Sequence, residues 1–289
     1  MPQISTTGQL ENASREMISA ARYTEEHNMP AVQLIERFTL EQGSDTLIVP
    51  KVGQMVMANL IEGQEISDEQ EIGMSTISVT PAEVGAKIVL SDKLLRQNSI
   101  GVFTVVGRQM GDGMSRKKDE DAVALYSALN GGTDLGAATR NFNASNATAV
   151  ISIAKSNKFG SSLRIVMHPN QIFTLNRDLS TVGSGIIRPM PQGFSRERLE
   201  NFWTGLRIGG VPFFEDGNIT RDSGDDGIGA IFDKGAMGML TSVAMNRERE
   251  RKAELRGWLL VISADYAMFE IDDSRGAPIT MDAADKVTA

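Results

Sequence analysis

Cysteine is absent from this chain, which removes disulfides, thiolate metal sites and cysteine nucleophiles together. Histidine is scarce: the sequence holds His27 and His168 and no other, too few to build a histidine metal centre. Long apolar runs are missing as well. None approaches the roughly 18–20 residues that cross a bilayer, and the most apolar stretches, Leu163–Met167 and Trp258–Ser263, have the length of buried strands. Met1 to Gly8 carry neither the basic nor the apolar segment of a secretory signal, so the chain is expected to stay in the cell that makes it. The sequons at Asn143, Asn146 and Asn218 then read as chance. Positive charge is in deficit, 29 Lys+Arg against 37 Asp+Glu, for a net charge of -8. Proteins that grip nucleic acid by counterion release present a basic excess, and this composition has none.

What is present is a globular composition. With 289 residues, 41% hydrophobic and 23% charged, the chain can form one large domain or two medium ones around a real core. Residues 1–28 read as a polar arm in which Leu10, Met17, Ile18 and Ala21 are too sparse to make a core. Asn28-Met29-Pro30 predicts a helix start, with Val32, Leu34, Ile35 and Phe38 on its apolar face and Gly43 at its end. From Thr46 to Leu90 the pattern turns to strand, in two runs around Glu62–Glu71, a stretch with five carboxylates and no Lys or Arg. Such a segment projects into water or against a basic partner. It reads either as a surface loop or as the acidic tip of a hairpin arm.

Ser91-Asp92 opens a short helical piece, and Asn98-Ser99 is a cap for a far longer helix from Ile100 to about Leu129. Val102, Val106, Met110, Met114, Ala122, Leu125 and Tyr126 mark its apolar face. About 30 helical residues would span roughly 45 Å. Gly107, Gly111 and Gly113 inside it predict a bend or close packing against another backbone. Arg116-Lys117-Lys118 beside Asp119-Glu120-Asp121 reads as an exposed, ion-paired helical face; as a nucleic-acid patch its field is cancelled by its own acids. Gly131 to Ala147 has linker composition. Helix over Ala149–Lys158, strand over Leu163–Met167 and helix over Asn170–Leu179 predict a small α/β unit. Leu206–Phe214 returns as strand, broken at Gly209-Gly210. Ile228–Phe232, Trp258–Ala264, Ala267–Ile271 and Ile279–Met281 read as strands, Lys234–Met239 as a short turn or helix, and Met245–Arg256 as a charged run.

Chemistry is hard to find. His168 lacks the Gly-x-Ser-x-Gly elbow that would supply a nucleophile, and His168-Pro169 at a strand end reads as structural. No Gly-x-x-x-x-Gly-Lys-Ser/Thr loop exists for a nucleotide triphosphate. Asp222, Asp225 and Asp226 resemble part of a calcium loop, but the twelfth position is Asp233, where the loop needs Glu; a surface turn is the better reading. The sequence thus predicts no catalytic residue, no metal and no cofactor.

The order of these elements, a polar arm, a hairpin, Ser91-Asp92-Lys93-Leu94-Leu95 leading into a long helix, an α/β unit and a β-rich close, resembles the Hong Kong 97 type of tailed-phage major capsid protein. Val49-Pro50-Lys51 through Ala58-Asn59-Leu60-Ile61-Glu62-Gly63 is similar to that family's path into its extended loop. Val79-Thr80-Pro81 through Val89-Leu90-Ser91-Asp92-Lys93-Leu94-Leu95 is similar to its return into the spine helix. Gly209-Gly210-Val211-Pro212-Phe213 and Ala230-Ile231-Phe232-Asp233-Lys234-Gly235-Ala236-Met237 resemble its later signatures. The resemblance implies an α+β capsid fold: an N-terminal arm over 1–45, an extended hairpin loop over 46–90, a peripheral domain with the spine helix over 91–135, an axial α/β domain over 136–225, and peripheral closing strands over 226–289. It implies a structural shell protein of the virion and no enzyme, assembled in the host cytoplasm from hexamers and pentamers of itself around double-stranded DNA that it contacts weakly. Scaffolding, portal and decoration proteins are the further partners it implies, and no membrane. With about 45 residues ahead of the hairpin, a separate scaffolding protein or none is expected. Within this reading Glu62, Glu65, Glu69 and Glu71 are expected to lie against Arg247, Arg249 and Arg251 of a neighbouring copy. The alternative with the same fold is an encapsulin-like bacterial compartment; the alternative outside it is a soluble hydrolase centred on His168.

Overall fold

The chain enters its folded part through Pro30, and the computed structural model describes residues 29–41, 43–52, 74–97, 102–180 and 206–285. Helix α1 (Pro30–Leu34) has Pro at its start and no side-chain cap of its own. The helix predicted to reach Gly43 stops after Leu34, and Phe38 lies instead in β1 (Glu36–Thr39). The reason is long-range: β1 pairs in parallel with Gly238–Thr241, and Phe38 stacks on Phe269 at 5.6 Å. Strands β2 (Leu47–Val52) and β3 (Met74–Val79) form the expected antiparallel root of a hairpin, with Leu47 opposite Val79 and Val52 opposite Met74. The acidic stretch between them lies outside the described residues.

Strand β4 (Ala82–Ser91) runs into α2 (Asp92–Gln97), where the Ser91 hydroxyl accepts from the Leu94 N–H at 3.3 Å. The spine helix α3 (Val102–Ala124) is 23 residues long, about 35 Å at 1.5 Å per residue. It ends sooner than predicted because Leu125–Gly132 tightens into a 3₁₀ turn, with Asn130 and Gly131 in the left-handed region at φ 56° and 58°. A Cβ on Gly107 or Gly113 would meet nothing, whereas on Gly111 it would lie 3.2 Å from the Arg247 guanidinium. Close approach therefore applies to one glycine of the three. The charged triplets on α3 divide in the same way. Arg116–Glu120 and Lys117–Asp121 are the expected i,i+4 pairs, but Asp119 is fully buried. It faces inward because its carboxylate caps α1, accepting from the N–H of Ala31 at 3.0 Å and of Val32 at 3.4 Å.

The glycine-rich stretch after α3 is packed structure rather than a linker: the Leu135 N–H donates to the Pro278 carbonyl, and Asp134 accepts from the Thr280 N–H, both at 3.0 Å. Helix α4 (Ala144–Ser156) starts earlier than predicted because Asn143 caps it, accepting from the Asn146 N–H at 2.8 Å. Then come β5 (Arg164–Met167), α5 (Pro169–Ser180) and a small hairpin of β6 (Arg207–Ile208) and β7 (Val211–Glu215) turning at Gly209-Gly210. The close is β8 (Asp226–Phe232), β9 (Met237–Lys252), β10 (Gly257–Glu270) and β11 (Gly276–Asp282). Lys234–Ala236 is a turn and Met237 onward is strand. The charged run is the far half of β9, and the two apolar strands predicted from Trp258 are one, bulged near Asp265.

Two sheets carry the fold. One has the order β1-β9-β10-β4, the other β11-β8-β5-β7-β6. In the second, α5 connects the parallel pair β5 and β7, and α4 and α5 supply Val150, Ile151, Ile172 and Leu175 to a core with Ile165, Phe213 and Ile279. A separate core joins α1, α3 and the first sheet through Leu34, Met114, Tyr126, Met237 and Ile262. Because β1 flanks β9 at Gly238–Thr241 alone, the outer edge of β9 from Val243 to Lys252 has no strand beside it among the described residues.

Candidate functional site

The far half of β9, the start of β10 and, along the other edge of β10, strand β4 form a three-stranded ribbon that continues past α3. Its register sets Arg247, Arg249 and Arg251 opposite Ile262, Leu260 and Trp258, and directly opposed residues share one face of an antiparallel pair. All three sequence-predicted arginines therefore lie on the face that α3 covers lower down. Arg249 and Arg251 sit over the Trp258 ring, at 5.9 and 5.5 Å from its centroid. Arg251 also grips Asp92 with both ends of its guanidinium, one contact being 2.7 Å. That hydrogen bonding and charge hold the Asp92 carboxyl below its ordinary range. Arg251 is thereby committed within its own chain. Arg247 and Arg249 make no ion pair among the described residues. Beside them a groove of about 280 Å³ opens between ribbon and helix, lined by Gly107, Met110, Arg247, Glu248, Arg249, Leu260, Val261 and Ile262. An apolar floor with two arginines and one glutamate at its wall suits an extended segment that carries apolar side chains and an excess of acidic ones.

The root of the hairpin is fixed to the same sheet. Val79, Leu240 and Phe269 are buried together, with Phe38, Leu47, Val49 and Ile77 against them. Beside this cluster Lys51 reaches Asp272 at 2.7 Å, and Asp272 also accepts from the Ser274 hydroxyl and N–H at 2.8 and 3.2 Å. Burial pushes the Asp272 carboxyl up, but Lys51 and Ser274 more than offset it, so it lies below its ordinary value. Glu270 nearby is raised, by burial first and then by Asp273. Glu62, Glu65, Glu69 and Glu71 all lie outside the described residues.

The remaining candidates have structural occupations. His168 accepts from the Asn170 N–H at 3.2 Å through Nδ1, and its own N–H donates to Gln171 at 2.9 Å, which fixes the start of α5. Asp222 accepts from the N–H groups of Gly224 and Asp226 at 2.8 and 2.9 Å, the self-bonded turn that the sequence implied. Among the described residues no cluster of three or more acidic or histidine side chains could hold a metal, and no helix is long and apolar enough to cross a membrane.

The family described as phage capsid protein matches residues 74–277 through its model, a span from β3 into β11. The chain belongs to that family. Solved structures agree in fold with this phage capsid protein. The capsid of a native GTA particle matches with a TM-score of 0.70 at 14% identity, covering 98% of this chain and 95% of that one. The head of Helicobacter pylori bacteriophage KHP40 gives 0.66 at 9%, covering 92% of each chain. The capsid of cyanophage P-SCSP1u gives 0.62 at 13%, covering 87% of each. No curated protein matches in sequence. At such identities backbone architecture is what is shared, and it is the Hong Kong 97-type capsid fold. The phage capsid protein is thus a virion shell subunit, and its arginine ribbon and groove are surfaces to be judged as places where copies meet.

Sequence reasoning missed the two intrachain pairs, Asp92–Arg251 and Lys51–Asp272, because their partners are 159 and 221 residues apart. It also missed buried Asp119. A signal for it existed: Asp119 stands three residues before Ala122 and seven before Tyr126, on the apolar face of the helix.

Proposed function

We propose that this chain is the principal shell subunit, assembling through hexamers and pentamers into an icosahedral shell around phage DNA. In this reading neighbouring copies are fastened by charge. Glu62, Glu65, Glu69 and Glu71 of one copy lie in the groove beside Arg247 and Arg249 of the next, and Arg251 stiffens the ribbon through Asp92. The observation that carries it is the pair Arg247 and Arg249, cations without an ion pair among the described residues, at the mouth of an apolar groove. The same chain supplies an uncompensated acidic segment of matching chemistry. One surface meeting a different one on the next copy is the head-to-tail contact that closes rings. The five-stranded sheet with α4 and α5 is the axial domain, joined by β8 and β11 from the closing stretch that was expected to be peripheral throughout. The other sheet with α3 is the peripheral domain, joined by β1 and β4 from the segments 1–45 and 46–90 that otherwise form arm and extended loop. The net charge of -8 keeps DNA contact weak and non-specific. Scaffolding, portal and decoration proteins are the further partners, and the subunit has no catalytic activity. The phage family, rather than a cargo-enzyme compartment, is the one matched over most of the chain.

The test is charge reversal with rescue. The double variant Arg247→Glu/Arg249→Glu is expected to give folded subunits that sediment slowly and form no closed shells in electron micrographs. Adding Glu65→Arg and Glu69→Arg to the same chain restores shells. Normal shells from the double variant alone would overturn the pairing.

A further inference from the structure

Two carboxylates meet where α1, α3 and the loop after β7 converge. Asp119, from α3, and Asp216, from the loop, are both completely inaccessible to solvent. Asp119 is well supplied with donors: one oxygen takes the N–H groups of Ala31 and Val32, the other the Asn218 side-chain amide at 2.9 Å. Asp216 is not. Its Oδ1 accepts from the Asn218 N–H at 2.8 Å, while its Oδ2 is buried without a hydrogen-bond partner among the described residues. Asn218 therefore bridges the two acids, one through its backbone and one through its side chain. The hydroxyl of fully buried Tyr126 likewise has no hydrogen-bond partner among the described residues. A buried carboxylate oxygen with no donor is costly when charged, and two neighbouring carboxyls avoid double charging by holding one proton between them.

We propose that Asp119 and Asp216 share a single proton, forming a proton-dependent clasp that fastens the loop after β7 to α3 and, through the Asp119 cap, to α1. The pairing explains why Asp216 lacks a donor: protonated, it is itself the donor toward Asp119. Burial, and then the adjoining Asp119 carboxyl, push Asp216 up to about 8 against the opposing pull of the Asn218 N–H. The titratable groups facing Asp216 are Asp119 from α3 and Tyr126 from the 3₁₀ turn, and burial also raises Tyr126 far above its ordinary value. Helix α1 presents backbone N–H groups to the pair. Its nearby cations point elsewhere, Arg37 to the Val32 carbonyl at 3.4 Å and Arg164 to the Leu34 carbonyl. When the proton leaves, two charges share one dry site and the clasp opens.

The experiment uses full-length unassembled chain. Infrared difference spectra of the wild type should show a protonated buried carboxyl at neutral pH that titrates away with a midpoint near 8. The signal should be lost in Asp216→Asn and kept in Glu270→Gln, which removes the other burial-raised carboxyl. In urea unfolding, the wild-type unfolding constant relative to Asp216→Asn rises about tenfold per pH unit between roughly pH 4 and the folded midpoint, then levels off. The sign follows from the unfolded chain having already released the proton that the folded chain retains. Equal pH slopes for the two proteins, or no protonated carboxyl signal in the neutral wild type, overturns the clasp. Should Asp216→Asn fail to fold, the spectra of the wild type and of Glu270→Gln decide the matter alone.

Discussion

Replacing Asp272 by Ala separates three contributions that meet on one carboxylate at the hairpin root. Lys51 lies 2.7 Å away but its side chain is 41% exposed, against 20% for Asp272, so the pair contributes about 0.5–1 kcal/mol after screening. The N-terminal cap of the Asp273–Arg275 turn, made to the Ser274 N–H, is worth about 1 kcal/mol. Arg275 at 3.3 Å is half exposed and adds about 0.3 kcal/mol. The sum predicts a loss of about 2 kcal/mol for Asp272→Ala and about 0.5–1 kcal/mol for Lys51→Met, with a coupling near the latter value in a double-mutant cycle. Urea unfolding of unassembled subunits near pH 7 reads all four corners of the cycle. The pH dependence has a definite sign. Because the folded carboxyl is depressed, its stabilisation is present above about pH 4 and lost as pH falls through the folded value; Asp272→Ala should flatten that acid limb. A Lys51→Met loss as large as that of Asp272→Ala, or a coupling of zero, would refute this division and leave the apolar cluster as the sole anchor of the hairpin.

Phe232 is fully buried with its ring 5.7 Å from that of Tyr126; Phe232→Ala should cost about 3–5 kcal/mol in the same assay. Two glycines should behave oppositely when changed to Ala. A Cβ on Gly229 would run into Met167 and the Val166 carbonyl of β5, whereas on Gly113 it would meet nothing within 4 Å. The first substitution should destabilise by about 1–3 kcal/mol, and the second should stabilise by about 0.5–1 kcal/mol through helix propensity.

Elements whose pattern is local were legible in the sequence: β5, β8, β11 and α5 lie where their apolar spacing put them, and the hairpin root followed from strand patterning around a stretch too acidic to bury. What the sequence hid was decided by partners far along the chain. Phe38 reads as helical until β9 gives its backbone a strand to join. Gly131 to Ala147 reads as a tether until β11 is laid beneath it. The arginines of the ribbon could be named in advance, but not divided, since only the fold brings Asp92 to Arg251 and leaves Arg247 and Arg249 available. Asp216 carried no local signal, because its character comes from the loss of water and from Asp119.

The outer edge of β9, which has no strand beside it among the described residues, has a consequence for what kind of object this subunit can build. An unpaired strand edge is a template for adding another strand, and repeated addition is open-ended: it yields fibres. Here that edge runs through Arg247, Glu248, Arg249, Glu250, Arg251 and Lys252, six consecutive charged side chains of the kind that blunt an edge against strand addition, and a parallel copy in register would set every charge against its like. Sideways growth is therefore discouraged, while the broad face that β9 shares with Trp258 of β10 is left for contact. An assembly that joins face to flank, rather than edge to edge, would inherit the tilt between those two surfaces at every step. It curves, and a curved lattice has an end.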